Sequence, residues 1–419
     1  MLNFYSGRTA RRRNDRCKNP HLAFLTPNLS PLISNLFPYM IIAIDIRLLG
    51  KKRTGDEAVC RHLTRELLKL ESFATILLLT DETDAEKIDI LETELGTAGK
   101  ENVEIISLGS VNRYVWNMIA VPQFLRRRQV DIFHTQYILP FFVPKQTKLF
   151  AHIHDISFRV FPELIGWKDG LFLALLIPRT MRIADRILAV SEFTKTEIIS
   201  RYGVESDRVV VIPNAVGDEF RVRASDEEIA RVRKQYLLPE LFVLAVGTMQ
   251  PRKNIAFLVR VFAEVRKRLP HLKLVLVGKR NGYRYDTGID TALAECGVEE
   301  SVLFPGFVPE VDLPALYASA RVFTFPSRYE GFGIPILESL SQGTPVVATD
   351  IPSSREVGGD AILLFDGSSI ALAGELLYNV IIDENVRLRL SERGKTRLGS
   401  FSWEESARVL QKLFRERSL

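Results

Sequence analysis

A chain of 419 residues with 46% hydrophobic and 26% charged side chains has the balance of a globular protein long enough for two ordinary domains, which excludes a fibrous or wholly disordered chain. Its net charge of +5 suggests a polyanionic partner, yet six of the 56 Lys/Arg and one of the 51 Asp/Glu lie in residues 1–39, so the remainder carries 50 of each and offers no overall excess of positive charge for nucleic acid. Three cysteines without metal or disulfide spacing fit a reducing cytosol, and no run approaches the ~18 apolar residues of a membrane span.

Residues 1–39 carry Arg11-Arg12-Arg13 and then Pro20, Pro27, Pro31 and Pro38, without the periodicity of a folded element. The expectation is a disordered tail, or an extension from an upstream start, because Met40-Ile41-Ile42-Ala43-Ile44-Asp45 opens abruptly as a Rossmann-like first strand. Its basic residues leave tethering to an anionic membrane open, and prolines within the apolar stretch argue against a signal peptide.

From there, strand-like runs alternate with helical patterns at 41–46, 74–79, 103–108, 131–134, 148–153, 186–190 and 208–212. After Pro213-Asn214-Ala215-Val216-Gly217-Asp218 the series restarts at 241–246, 272–277, 302–304, 322–325, 346–348 and 362–364. Such alternation predicts parallel sheets covered on both faces. The expected fold class is α/β, with two Rossmann-like doubly wound domains facing across a cleft: 40–213, a hinge at 214–218, then 219–400. A terminal amphipathic helix within 401–419 begins near Trp403 and either returns to the first domain or packs locally.

Four stretches carry chemistry. In Leu49–Glu57 the spacing of Gly50 and Gly55 imitates a phosphate-binding loop, but Asp56 stands where such a loop needs lysine. Asp56 and Glu57 repel phosphate and favour a helix start, so this loop, with Thr54 and Gly55, is expected to face an acceptor. The run 148–153 places His154 and Asp155 at the carboxyl end of a strand, the ligand-facing edge of an open sheet, while His152 is read as packed. The run 241–246 ends in Gly247 and leads through Gln250-Pro251-Arg252-Lys253-Asn254 into a helix with Asn254 as its side-chain N-cap. Cations there oppose the helix dipole, which argues that Arg252 and Lys253 serve a ligand.

The fourth stretch is Glu330-Gly331-Phe332-Gly333-Ile334-Pro335-Ile336-Leu337-Glu338, between the strand 320–325 and a helix with Pro335 at its first position. Glycines without Cβ atoms suit positive φ and close approach of an anion to the helix N-terminus, and nearby carboxylates suit hydroxyl groups. A nucleotide sugar offers both. Charge that builds on a departing diphosphate needs a metal or preorganised cations; the chain has no Asp-x-Asp, and Arg252 with Lys253 supplies the cations.

The Pro-Arg-Lys-Asn turn, Glu330 with Glu338, and His154-Asp155 together resemble glycosyltransferase family 4 from Met40 to the C-terminus. The resemblance implies a retaining transferase of the GT-B arrangement, acting without metal. It implies that Arg252 and Lys253 hold the donor diphosphate, that Glu330 and the backbone amides of Gly331, Phe332 and Gly333 meet the donor sugar and phosphate, and that Gly247 and Ile334 also line the donor site. It also implies that Glu338 accepts from the ribose, and that His154 lies near the anomeric carbon with Asp155 on the acceptor side. No cofactor or metal is expected beyond the nucleoside-diphosphate sugar as co-substrate. The expected partners are that donor and a glycan or lipid-linked acceptor, with no nucleic acid. The expected localisation is cytoplasmic, with peripheral contact at the inner membrane face as an open option. A glycosidase using Glu330 and Glu338, a nucleotide-sugar epimerase and a non-catalytic sugar-nucleotide binder remain alternatives at this point.

Overall fold

The structure, a computed structural model, describes residues 40–416 except 52–54, 71–73, 111, 165 and 281–283, so the segment 1–39 and Thr54 lie outside the described residues. Runs such as Ile76–Leu79 and Val243–Ala245 are apolar at consecutive positions and buried on both sides, as strands covered on two faces require. Seven strands form the first sheet: β1 (Met40–Asp45), β2 (Ala74–Thr80), β3 (Val103–Ser107), β4 (Ile132–Gln136), β5 (Lys148–Ile153), β6 (Arg186–Ala189) and β7 (Val209–Val211). Six form the second: β8 (Phe242–Val246), β9 (Lys273–Val277), β10 (Val302–Gly306), β11 (Val322–Phe325), β12 (Val346–Thr349) and β13 (Leu363–Phe365).

Every neighbouring pair is parallel. The spatial order is β3-β2-β1-β4-β5-β6-β7 in one lobe and β10-β9-β8-β11-β12-β13 in the other. Both therefore run outward for three strands and then reverse. The reversal opens a crevice beyond the carboxyl ends of β1 and β4, and of β8 and β11, where open α/β sheets take ligands.

The final helix, Trp403–Arg415, begins at Ser402, whose hydroxyl accepts from the Glu405 amide. Its apolar stripe lies against the first sheet: Trp403, Ala407, Leu410 and Phe414 share a core with Ile42, Leu63 and Phe150. Phe414 meets Phe150 edge-on at 5.2 Å, and Trp403 stacks on His62 at 5.7 Å. The first described strand and the last described helix thus lie on the same lobe.

Two local expectations are corrected. Pro335 occupies the second position of the helix Ile334–Ser341, because Gly333 at φ +119° forms its cap. Asn254 is left-handed, at φ +56°, and makes no side-chain cap. It joins a 3₁₀ turn, Pro251–Lys253, to the helix Ile255–Arg268, a conformation that asparagine adopts more readily than most residues.

Candidate active site

At the second-lobe crevice, Gly247 ends β8 at φ +147° and donates its N–H to the Val277 carbonyl at 3.0 Å. Gly278, just past β9, passes so close that a Cβ there would come within 2.1 Å of the Gly247 oxygen. The Pro251–Lys253 turn then folds back toward the loop after β11, and the Arg328 amide binds the Arg252 carbonyl at 2.8 Å. This places two cations on one carboxylate. Arg252 Nη1 is 2.8 Å from Glu330 Oε2, and Lys253 Nζ is 2.5 Å from Oε1.

Burial alone would push the Glu330 carboxyl up, but Arg252 and Lys253 outweigh it and hold it at about 2. Burial depresses the Lys253 ammonium despite Glu330, whereas Arg252, opposed by the same burial, is raised by Glu330 and Asp155. Within this trio two positive groups face one carboxylate beside the N-terminus of the helix Ile334–Ser341, whose dipole has the same sign as the cations. Gly247, Thr248, Lys253, Phe325 and Ser327 line the adjoining hollow.

On the first lobe, His154 follows β5 and is buried, with Nε2 2.6 Å from Gln136 Oε1 at the end of β4. A carboxamide oxygen only accepts, so Nε2 carries the proton and Nδ1 turns toward Asp56, 3.9 Å away. Burial pushes the Asp56 carboxyl up. His154 stacks on His152 at 4.9 Å, and His152 on His134 at 5.8 Å; His152 is fully buried, as a packed side chain. Tyr137 next to Gln136 has φ +58°, rare for an aromatic residue, and its buried hydroxyl is pushed well up by burial and then by Asp56 and Asp155. Asp155 accepts from the Ser157 amide at 2.9 Å and hydroxyl at 2.8 Å, which fixes the turn after His154.

The two halves touch at the loop after β11. A Cβ on Gly331 would lie 1.8 Å from the His154 carbonyl oxygen. Gly331 is not in the left-handed region, so close approach, rather than positive φ, is what demands glycine there. The Gly331 carbonyl is held from the other side by the hydroxyls of Ser191, at 2.5 Å, and Thr194, at 3.0 Å. Glu356 of the second lobe accepts from the Glu192 and Phe193 amides at 2.7 and 2.9 Å, capping a first-lobe helix. Farther off, Arg61 grips Glu310 through both carboxylate oxygens, at 2.8 and 2.7 Å, beside His62 and Glu219.

The structure thus gathers His154, Asp155, Arg252, Lys253, Glu330 and Gly331 around one crevice. The structure places the other expected residues as follows. Glu338 accepts from the Tyr317 hydroxyl at 2.7 Å, the Phe332 ring packs into the core against Phe401, and Ile334 packs between both lobes' cores. Gly55 starts the helix Gly55–Lys69, with Asp56 in its first turn. Sequence reasoning missed Gln136, Tyr137, Ser191, Thr194 and Gly278. The available signal was polar or glycine residues at strand ends, since Gln136 ends β4 with Tyr137 after it, Ser191 lies just past β6, and Gly278 follows β9; Thr194, inside a helix, had none.

Two family models match in tandem: Glycosyltransferase Family 4 over residues 54–220 and Glycosyl transferases group 1 over residues 227–397. The chain belongs to glycosyltransferase family 4. Among curated relatives of this family 4 chain, the O-antigen chain mannosyltransferase B of Escherichia coli is 35% identical over 256 residues, 60% of this chain and 66% of that protein. The serotype-specific mannosyltransferase WbdA of Escherichia coli is 32% identical over 231 residues, 54% of this chain and 28% of that protein. The matches therefore span less than two thirds of either relative. Sucrose-phosphate synthase from Thermosynechococcus elongatus shares the family 4 chain's fold with a TM-score of 0.71, at 20% identity over 90% of this chain and 98% of that one.

Proposed function

We propose that the protein is a retaining, metal-independent glycosyltransferase that moves a hexosyl group from a nucleoside-diphosphate sugar to a hydroxyl of a glycan or lipid-linked acceptor. The observation that carries this reading is the Arg252–Glu330–Lys253 group at the switch point of the second sheet, one residue from the contact between Gly331 and His154. Mannose is the first sugar to test, because both Escherichia coli relatives are named mannosyltransferases.

In this reading the bond from the anomeric carbon to the phosphate oxygen breaks, and its electron pair stays on the diphosphate. Arg252 and Lys253 take up that charge, worth most in a crevice from which water is displaced. Glu330 holds both cations in place before the donor arrives, so little reorganisation is left for the reaction itself. The acceptor oxygen attacks the anomeric carbon on the face the phosphate leaves, and its proton passes to a phosphate oxygen. His154, fixed by Gln136, lines the sugar's side of the crevice, with Asp56 and Asp155 toward the acceptor.

A glycosidase fits less well. Its general acid needs a carboxyl raised toward neutrality, and Glu330 is pressed to about 2 while Glu338 is bound to Tyr317. Thermal melting with GDP-, UDP-, ADP- and dTDP-sugars, followed by NMR of the product's anomeric configuration, tests the proposal. It expects one donor to raise the melting temperature and to yield a product of unchanged configuration. An inverted product, or release of sugar from a simple glycoside without nucleotide, would reject it.

A further inference from the structure

On the first lobe, the helical turns from Arg113 to Ala120, the loop after β4 and the helix Trp167–Ile183 present large apolar side chains to solvent. Leu175 is 65% exposed, Phe142 63%, Leu171 56% and Tyr114 49%. Tyr114, Met118, Phe141, Phe172 and Leu175 wall a hollow of about 240 Å³. Three separate segments thus bring apolar surface to one place, where a soluble chain ordinarily scatters it.

Charge follows the same region. Residues 105–184 hold ten Lys/Arg and four Asp/Glu, within a body 40–419 that is balanced overall at 50 of each. The cations are interleaved with the aromatic rings: Arg113 lies 4.6 Å over Phe172, Arg179 lies 4.2 Å over Phe141, and Arg126 donates to the Phe142 carbonyl at 3.1 Å. An apolar basin bordered by arginines matches a leaflet with anionic headgroups. The rings and leucines enter the acyl boundary while the guanidinium groups stay at headgroup level. Among the described residues no helix is long and apolar enough to cross a membrane, so the surface offers seating rather than insertion.

We propose that this face docks the protein on an anionic lipid surface. The proposal stands apart from the reading of the crevice, since none of these side chains belongs to it.

The test is flotation of the full chain with vesicles of phosphatidylcholine containing phosphatidylglycerol, compared with phosphatidylcholine alone. The Phe142→Asp/Leu175→Asp variant probes the basin, and the Arg113→Gln/Arg126→Gln variant probes the charge. Both keep residues 1–39, so any loss reports on this face and not on that basic segment. Wild type is expected to float only with anionic vesicles and to be released by 0.5 M salt, a condition chosen at roughly three times physiological ionic strength. The arginine variant should bind on the order of twentyfold more weakly, about fivefold per charge removed, and the aspartate variant should stay in solution. Melting temperature and donor binding should be unchanged in both. Binding of both variants equal to wild type would overturn the proposal, as would equal flotation with neutral vesicles. So would a wild-type dimer in light scattering that the aspartate variant disperses, because a second copy would then cover the face.

Discussion

The carbonyl oxygen of His154 occupies the place a side chain on Gly331 would need, 1.8 Å from the position of its Cβ. The lobe that carries the cations and the lobe that carries the histidine are thereby brought to backbone contact, and the hydroxyls of Ser191 and Thr194 secure the Gly331 carbonyl behind it. Gly331→Ala should force the two backbones apart by an ångström or more, because the oxygen it meets belongs to the main chain and cannot swing aside. Because misplacement by ~1 Å in an active site costs about a hundredfold, kcat/KM should fall by at least that order, and the melting temperature should fall as the packed contact opens. Steady-state kinetics alongside a melting curve decide it; an alanine variant with wild-type turnover would show that this approach is not needed.

Glu330 couples the site to stability. Its carboxyl is held at about 2, below the ordinary 4.5, so the folded state favours the ionised form. The stabilisation is complete above about pH 4.5 and is lost as the pH falls toward 2, amounting to roughly 3 kcal/mol. Glu330→Gln leaves two largely buried cations without their partner and should destabilise the protein at pH 7 by about 3 kcal/mol. Its urea midpoint should recover when a nucleoside diphosphate is added, because the ligand's charge replaces the carboxylate. No loss of stability, or no recovery with nucleotide, would speak against a donor-ready cation pair.

The histidine column predicts a second acid sensitivity. Burial, helped by His154 and opposed by Asp45, presses His134 down to about 4. The unfolded chain binds a proton below about pH 6.5 that the folded one refuses, so stability is full above that pH and declines toward pH 4, by roughly 3 kcal/mol. His134→Phe, which keeps a flat ring against Phe414, should make denaturant midpoints between pH 6.5 and 4 less pH-dependent. An unchanged slope would locate the sensitivity elsewhere.

Gln136 acts on the site only through His154. Gln136→Ala should lower kcat about tenfold, with the donor KM nearly unchanged, as the Nε2 proton loses its acceptor. Gln136→Glu should restore an acceptor and recover part of the rate. A melting defect with normal kinetics would mark Gln136 as merely structural.

Much of this architecture could be read before any coordinates. Runs such as Ile76–Leu79 and Phe242–Val246 announce strands because burial on both faces leaves no polar alternation, and turn residues between them set the elements. Arg252, Lys253 and Glu330 stood out as chemically odd for their local positions. Their mutual pairing did not, because a contact across 78 residues depends on strand order, and β8 lies beside β11 only in the folded sheet. Gly331 and Asn254 show the same limit from another side. A glycine can answer a steric need in the opposite lobe, and an asparagine at a helix start can serve its backbone rather than cap with its side chain. Gln136 and Ser191 carry only the weak signature of a polar residue at a strand end and Thr194 none, since they gain meaning from His154 and Gly331.

The most direct measurement is single-turnover transfer from the donor identified by thermal melting, in EDTA, for wild type, Arg252→Ala and Lys253→Ala. The account predicts undiminished wild-type turnover in the chelator and a loss of about a hundredfold or more in each variant, with the fold intact. Turnover within a few fold of wild type in both variants, or wild-type activity that vanishes until a divalent metal is restored, would contradict it.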